Sequence, residues 1–160
     1  MAALSLAARV GEALLKRNWM FCAAESCTGG LLMHLLTNVA GSSAYIAGGV
    51  VTYSYEAKER LLGVRRETLE QYGAVSEETA TEMVQGALKV FSGDLAISIT
   101  GIAGPGGGMP NKPVGLVYIG IAAPSLGLLR IDRHVWDEDR ETNKQLSAEE
   151  AMRMILAVVE

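Results

Sequence analysis

Apolar residues recur at helical spacing from Leu4 to Lys16 (Leu4, Ala7, Ala8, Gly11, Ala13, Leu14, Leu15), which predicts an amphipathic helix packed on a larger body. The period then changes. Trp19 to Ala24 is an apolar run too short for a helix, and it ends in Glu25-Ser26-Cys27-Thr28-Gly29-Gly30 before helical spacing resumes through Leu31, Leu32, Leu35, Leu36 and Val39. That order reads as strand, polar glycine turn, helix. Ile46 to Tyr53 has β character, and Tyr55 to Leu62 reads as a helix closed by Gly63. Thr68 to Tyr72 is a short helical turn, and Ser76 caps a helix reaching Phe91 with Glu77 and Glu78 in its first turn. Leu95 to Thr100 is a further strand. Val114 to Ala122 and Leu128 to Trp136 alternate well enough to pair around Pro124–Gly127, and a last helix runs from Arg140 to Val159. The sequence of elements predicts an α/β fold, a three-layer α/β/α sandwich with a mixed β-sheet.

Composition narrows the picture. The chain has 160 residues, 49% of them hydrophobic, enough to build one full core, so residues 1–160 read as a single domain. The net charge of −4 argues against nucleic acid as a partner, because no broad basic surface is available for phosphate neutralisation. A small anionic substrate needs only one or two local cations. Arg9, Glu12, Lys16 and Arg17 interrupt the N-terminal segment, so it does not read as a signal peptide, and no apolar stretch reaches the roughly eighteen residues of a membrane span. Cys22 and Cys27 form neither a CxxC pair nor a disulfide framework. A cytoplasmic protein is expected, with no membrane partner.

Three turns that follow predicted strands carry the candidate chemistry, since ligands of α/β sheets collect at the carboxyl ends of strands. The first offers Ser26 and Thr28 with Gly29 and Gly30, whose backbone N–H groups at a helix N-terminus suit an anion or a developing oxyanion. Ser26 and Thr28 also read simply as helix caps. The second, Thr52 to Lys58, brings a lysine close to tyrosine hydroxyls. A lysine desolvated in a pocket loses its proton readily and can activate a serine, although by its sequence context alone Lys58 reads first as a solvated helix position. The third runs from Thr100 through Gly101 and Gly104 to Gly108 and on to Pro113. It resembles a phosphate-cradling loop in composition, but strand residues follow it, so it fits neither a P-loop nor a dinucleotide fingerprint. Its other reading is a flexible crossover or lid. Arg140 suits a phosphate or carboxylate, or else an ion pair with its acidic neighbours. His34 and His134 have no partners at metal-ligand spacing, so neither a metal nor a cofactor is expected. A Ser26–His134–Asp132 triad has nothing in its spacing to recommend it.

Five ordered segments, Ala24-Glu-Ser-Cys-Thr-Gly-Gly30, Ala40-Gly-Ser-Ser43, Val51-Thr-Tyr-Ser54 with Glu56-Ala-Lys58, Gly73-Ala-Val-Ser76 and Ser98-Ile-Thr-Gly-Ile-Ala-Gly-Pro105, together resemble the CinA C-terminal domain family. The resemblance implies the three-layer fold and, from the family's stand-alone members, deamidation of nicotinamide mononucleotide (NMN) to the acid and ammonia in pyridine nucleotide recycling. It also implies a hydroxyl nucleophile assisted by lysine, without metal. The family's functional positions fall on Ser26, Ser43, Tyr53, Lys58, Thr100 and Arg140. Relatives commonly read Gly-Asp-Arg where this chain has Glu138-Asp139-Arg140, which puts the aim of the arginine in question.

On this reading Ser26 attacks the carboxamide carbon and Lys58 accepts its proton. Ser43 is the alternative nucleophile or an oxyanion donor, Tyr53 relays or positions protons, and Thr100, the glycine loop and Arg140 hold ribose and phosphate. A non-catalytic nucleotide-binding module, a partner or scaffold protein, and an amidase for another carboxamide are the competing readings. A homo-oligomer is expected, as small α/β enzymes with apolar helices often pair.

Overall fold

The computed structural model describes residues 4–160. Residues 1–3 of the N-terminal segment read above lie outside them. The elements follow the order α1 (Leu6–Arg17), β1 (Phe21–Glu25), α2 (Leu31–Thr37), β2 (Ile46–Val51), α3 (Tyr55–Leu62), α4 (Arg66–Tyr72), α5 (Glu77–Phe91), β3 (Leu95–Gly101), β4 (Leu116–Ala123), β5 (Leu128–Val135) and α6 (Arg140–Val159). Local chemistry sets most boundaries. Ser54 and Ser76 cap α3 and α5 by accepting from Ala57 N–H and Thr79 N–H, and Gly63, at φ +69°, closes α3 in the left-handed conformation. The predicted strand ending at Tyr53 stops at Val51, because the chain leaves the sheet to enter the Ser54 cap. The helical turn predicted at Thr68–Tyr72 is a seven-residue helix.

Five strands form one sheet in the order β2-β1-β3-β4-β5. The first three are parallel, β4 runs antiparallel to β3, and β5 returns as a hairpin partner of β4, so the sheet is mixed. Side-chain alternation divides the strands between two helical layers. Phe21, Leu95, Ile97, Ile99, Val117, Ile119 and Ile121 pack against α1, α2 and α6. Small residues face the other way: Cys22, Ala24, Ala96 and Ala122 meet α3, α4 and α5. Small side chains there let α5 approach closely, and Ser98 bonds the Ala80 carbonyl of α5 at 2.7 Å. At Gly86 of α5 a Cβ would stand 2.1 Å from the Leu62 carbonyl oxygen, so only glycine permits the α3–α5 contact.

The parallel strands β1, β2 and β3 end on one side of the sheet. Their exits carry Ser26, Thr52–Lys58 and the loop after Gly101, the three turns singled out in the sequence.

Candidate active site

Strand β1 delivers Ser26 to the sheet's carboxyl edge, where its N–H donates to the Ile99 carbonyl at 2.9 Å and fixes the turn against β3. Helix α3 begins after β2 on the neighbouring edge and points Lys58 back into the sheet. Its Nζ donates to the Thr52 carbonyl at 2.6 Å and stands 3.0 Å from Ser26 Oγ. Lys58 is fully buried and Ser26 is 8% exposed. Burial lowers the lysine from its ordinary value to about 8, because a buried ammonium has lost its hydration without gaining a carboxylate partner. A neutral amine there can accept the Ser26 hydroxyl proton along the same contact, an arrangement between residues 32 positions apart in the chain that suits a nucleophile and its base.

The Ser26–Gly30 turn differs from the sequence expectation in one respect. Glu25, the last residue of β1, is buried and aims its carboxylate at the start of α2, accepting from Leu32 N–H at 3.0 Å and Met33 N–H at 3.1 Å. It also accepts the Thr28 hydroxyl at 2.6 Å. The helix N-terminus expected to receive a substrate anion is thus occupied by the protein's own carboxylate, and Thr28 holds that carboxylate instead of a ligand. Gly29 and Gly30 serve the turn itself, at φ +62° and +100°. The N–H groups of Cys27 and Thr28, next to Ser26 in the turn, have no carbonyl or carboxylate acceptor among the described residues. The Cys27 thiol is buried and pushed up to about 12, chiefly by desolvation, so it stays protonated and unreactive next to Lys58.

Ser26, Cys27 and Lys58 open into a cleft of about 240 Å³ walled by Ala74, Val75, the segment Thr100–Gly104, Tyr53 and Arg140. Thr100 is buried and spends its hydroxyl on the Ala74 carbonyl at 2.8 Å, so it positions the cleft wall and does not offer a free hydroxyl. Gly101 is required by packing: a Cβ there would meet Leu116 O at 2.7 Å and a Val117 methyl at 2.6 Å. Gly104 takes φ +89°, and a Cβ would strike Val114 at 2.5 Å.

Arg140, the first residue of α6, reaches across the mouth. It donates to the Gly104 carbonyl at 2.7 Å and to the Tyr53 hydroxyl at 3.1 Å, not to its acidic neighbours. Tyr53 is 62% exposed and lines the same cleft as Lys58, its hydroxyl accepting from Arg140 and making no hydrogen bond to Lys58. Glu138 in place of the usual glycine does not misdirect the arginine. Its backbone stays out of the left-handed region, and the buried Asn143 side chain grips both its N–H and its carbonyl. Asn143 also donates to the Ala103 carbonyl at 3.0 Å, tying the glycine loop to α6. The sequence reading missed Asn143 and Glu25, for an asparagine in the first turn of a helix and a strand-end glutamate carry no local signal of these long-range bonds.

Ser43 does not join this cleft. It lies exposed in a 3₁₀ turn, Ser42–Ala44, that precedes β2, and the β1–β2 register pairs Phe21 with Ile46 and Glu25 with Val51. Ser43 and Ser26 are therefore at opposite ends of the sheet. His134 stacks on Trp136 on β5, two strands removed from β1, so no triad with Ser26 forms. Among the described residues no three of His, Cys, Asp or Glu cluster as metal ligands, and no helix is long and apolar enough to cross a membrane.

A profile of the CinA C-terminal domain matches residues 3–159. The chain is 50% identical over 154 residues to a CinA-like protein of Chloroherpeton thalassium, covering 95% of this chain and 37% of that one. It thus spans little more than a third of such longer relatives. It is 48% identical over 136 residues to the nicotinamide-nucleotide amidohydrolase PncC of Enterobacter agglomerans, covering 85% of this chain and 82% of that one. Among solved structures, a CinA superfamily protein of Klebsiella pneumoniae superposes with a TM-score of 0.92 at 38% identity, covering 96% of this chain and 95% of that one. The competence/damage-inducible protein CihA of Agrobacterium tumefaciens gives 0.90 at 39% identity over the full length of both.

Proposed function

The chain belongs to the CinA C-terminal domain family, and on that premise we propose that it hydrolyses the carboxamide of NMN to nicotinate mononucleotide and ammonia by a Ser-Lys mechanism. The observation that carries the mechanism is the buried 3.0 Å contact between Lys58 Nζ and Ser26 Oγ, at the floor of a cleft. Likeness to a relative named for this activity, of which the chain covers most, supports the substrate.

Neutral Lys58 takes the hydroxyl proton as Ser26 Oγ bonds to the carboxamide carbon, and the oxygen that becomes negative faces the N–H groups of Cys27 and Thr28. The C–N bond then breaks. Lys58 returns its proton to the leaving nitrogen, which departs as ammonia. A water molecule gives a proton to Lys58 and attacks the ester carbon, the C–Oγ bond breaks, and Lys58 hands that proton to Ser26 Oγ, releasing the acid and restoring the hydroxyl and the neutral lysine. Ser26 is preferred over Ser43 as nucleophile because it alone is bonded to the lysine. Arg140 and the loop held by Asn143 receive the ribose phosphate end, and two free cysteines suit a reducing, cytoplasmic setting.

The test is ammonia release from NMN with a chelator present, for the wild type and for Ser26→Ala, Lys58→Ala and Ser43→Ala. Release that resists chelator and falls by about three orders of magnitude or more in the Ser26 and Lys58 variants is expected. Near-normal turnover by Lys58→Ala would refute the pair, and tight NMN binding without any ammonia would leave a binding module.

A further inference from the structure

Helix α6 presents a second cation to the site. Lys144 lies one turn beyond Arg140 on the same helix face, since residues four apart are neighbours there. Its Nζ stands 3.8 Å from where a Cβ on Gly29 would be, directly over the glycine turn that carries Ser26. Lys144 and Arg140 line a wider groove with Leu31, Asp139, Glu141 and Gln145, and Arg140 is the wall this groove shares with the Ser26 cleft.

Neither cation is neutralised. Among the described residues Lys144 makes no hydrogen bond or ion pair, and Arg140 bonds only the neutral Gly104 carbonyl and Tyr53 hydroxyl. Asp139 turns its carboxylate to the Thr142 N–H at 2.8 Å as the helix cap, and Glu141 forms no ion pair among the described residues. A half-buried lysine without a hydrogen-bond partner, beside an arginine engaged only by neutral groups, leaves two unpaired cations on a groove that the Asp139 and Glu141 side chains also line. The Ser26 cleft and the Lys144 groove adjoin at Arg140, so a ligand whose amide sits at Ser26 can extend past Arg140 into the groove that Lys144 overlooks.

We infer that Lys144 and Arg140 together form a phosphate monoester subsite, and that Lys144 makes the enzyme select the nucleotide over its dephosphorylated nucleoside. This rests on the proposed reading for its substrate. The arginine supplies a planar fork and the lysine a mobile point charge, a pairing that suits a dianionic phosphate better than a single carboxylate. Lys144 is a specificity residue and takes no part in the proton transfers, because among the described residues it makes no hydrogen bond to Ser26 or Lys58.

The test compares wild type, Lys144→Ala and Lys144→Arg on NMN and on nicotinamide riboside, which lacks only the phosphate. Lys144→Ala should raise the KM for NMN about 10- to 100-fold, with a much smaller change in kcat, and reduce the preference for NMN over the riboside by the same factor. Lys144→Arg should restore most of that preference. Calorimetric binding of NMN to Ser26→Ala, with and without Lys144→Ala, reads the subsite without turnover. Binding weakened by the second substitution supports the subsite even if no ammonia is ever released, in which case only the hydrolytic reading fails. Equal losses on NMN and riboside, or NMN affinity unmoved by Lys144→Ala, would overturn it.

Discussion

The most direct consequence of the buried lysine is a rate that follows its titration. Lys58 must be neutral to accept the Ser26 proton, and burial brings it from an ordinary 10.5 to about 8. At pH 7 a lysine titrating near 8 is about one-tenth neutral, against roughly 3 in 10,000 for a solvated one, so burial raises the working base about 300-fold. Between pH 7 and pH 9 the neutral fraction climbs about tenfold and then levels. Initial rates of ammonia release at subsaturating NMN, measured from pH 6 to 10, should rise with a midpoint near 8 and reach a plateau. Lys58→Arg keeps a cation that does not deprotonate, and it should lose about three orders of magnitude with no such rise. A profile flat from pH 6 to 9, or one still climbing at 10, would show that this lysine is not the base. Stability should follow the opposite reservoir of protons: between about pH 8 and 10.5 the unfolded chain holds a proton that folded Lys58 has lost, so resistance to urea should increase through that window.

Two further outcomes test the scaffold around the pair. Asn143→Ala removes bonds to Ala103 and Glu138 from a buried site, and should cost about 2–3 kcal/mol in urea unfolding while raising the KM for NMN, as both the glycine loop and Arg140 lose their tether. Gly86→Ala drives a methyl into the Leu62 carbonyl and should destabilise by about 2 kcal/mol or more by thermal melting, whereas Gly63, with open space around it, should tolerate alanine with only the smaller cost of a left-handed conformation.

Much of this molecule was legible in the chain because the signals were local. The hydroxyl cap at Ser76, the Gly63 stop, the short apolar runs of β1 and β3, the alternation of β4 and β5, and the helical stripes flanking them together point to elements, layers and a mixed sheet. They also pick out the three strand-end turns. That Ser26 and Lys58 meet is decided only by strand order, since β1 lies between β2 and β3 and so brings a turn and a helix 32 residues apart to 3.0 Å. The same nonlocal register carries Ser43 to the far end of the sheet, although its motif stands beside the others in sequence. Hydroxyls that a sequence offers as ligand groups, Thr28 and Thr100, prove to be committed inward, to Glu25 and to Ala74, because a buried polar group must find a partner and the nearest lay in another element. Residue types and their order along the chain determined which groups were present. Which of them meet, and which are left free for a substrate, was decided by the packing of the sheet and α6.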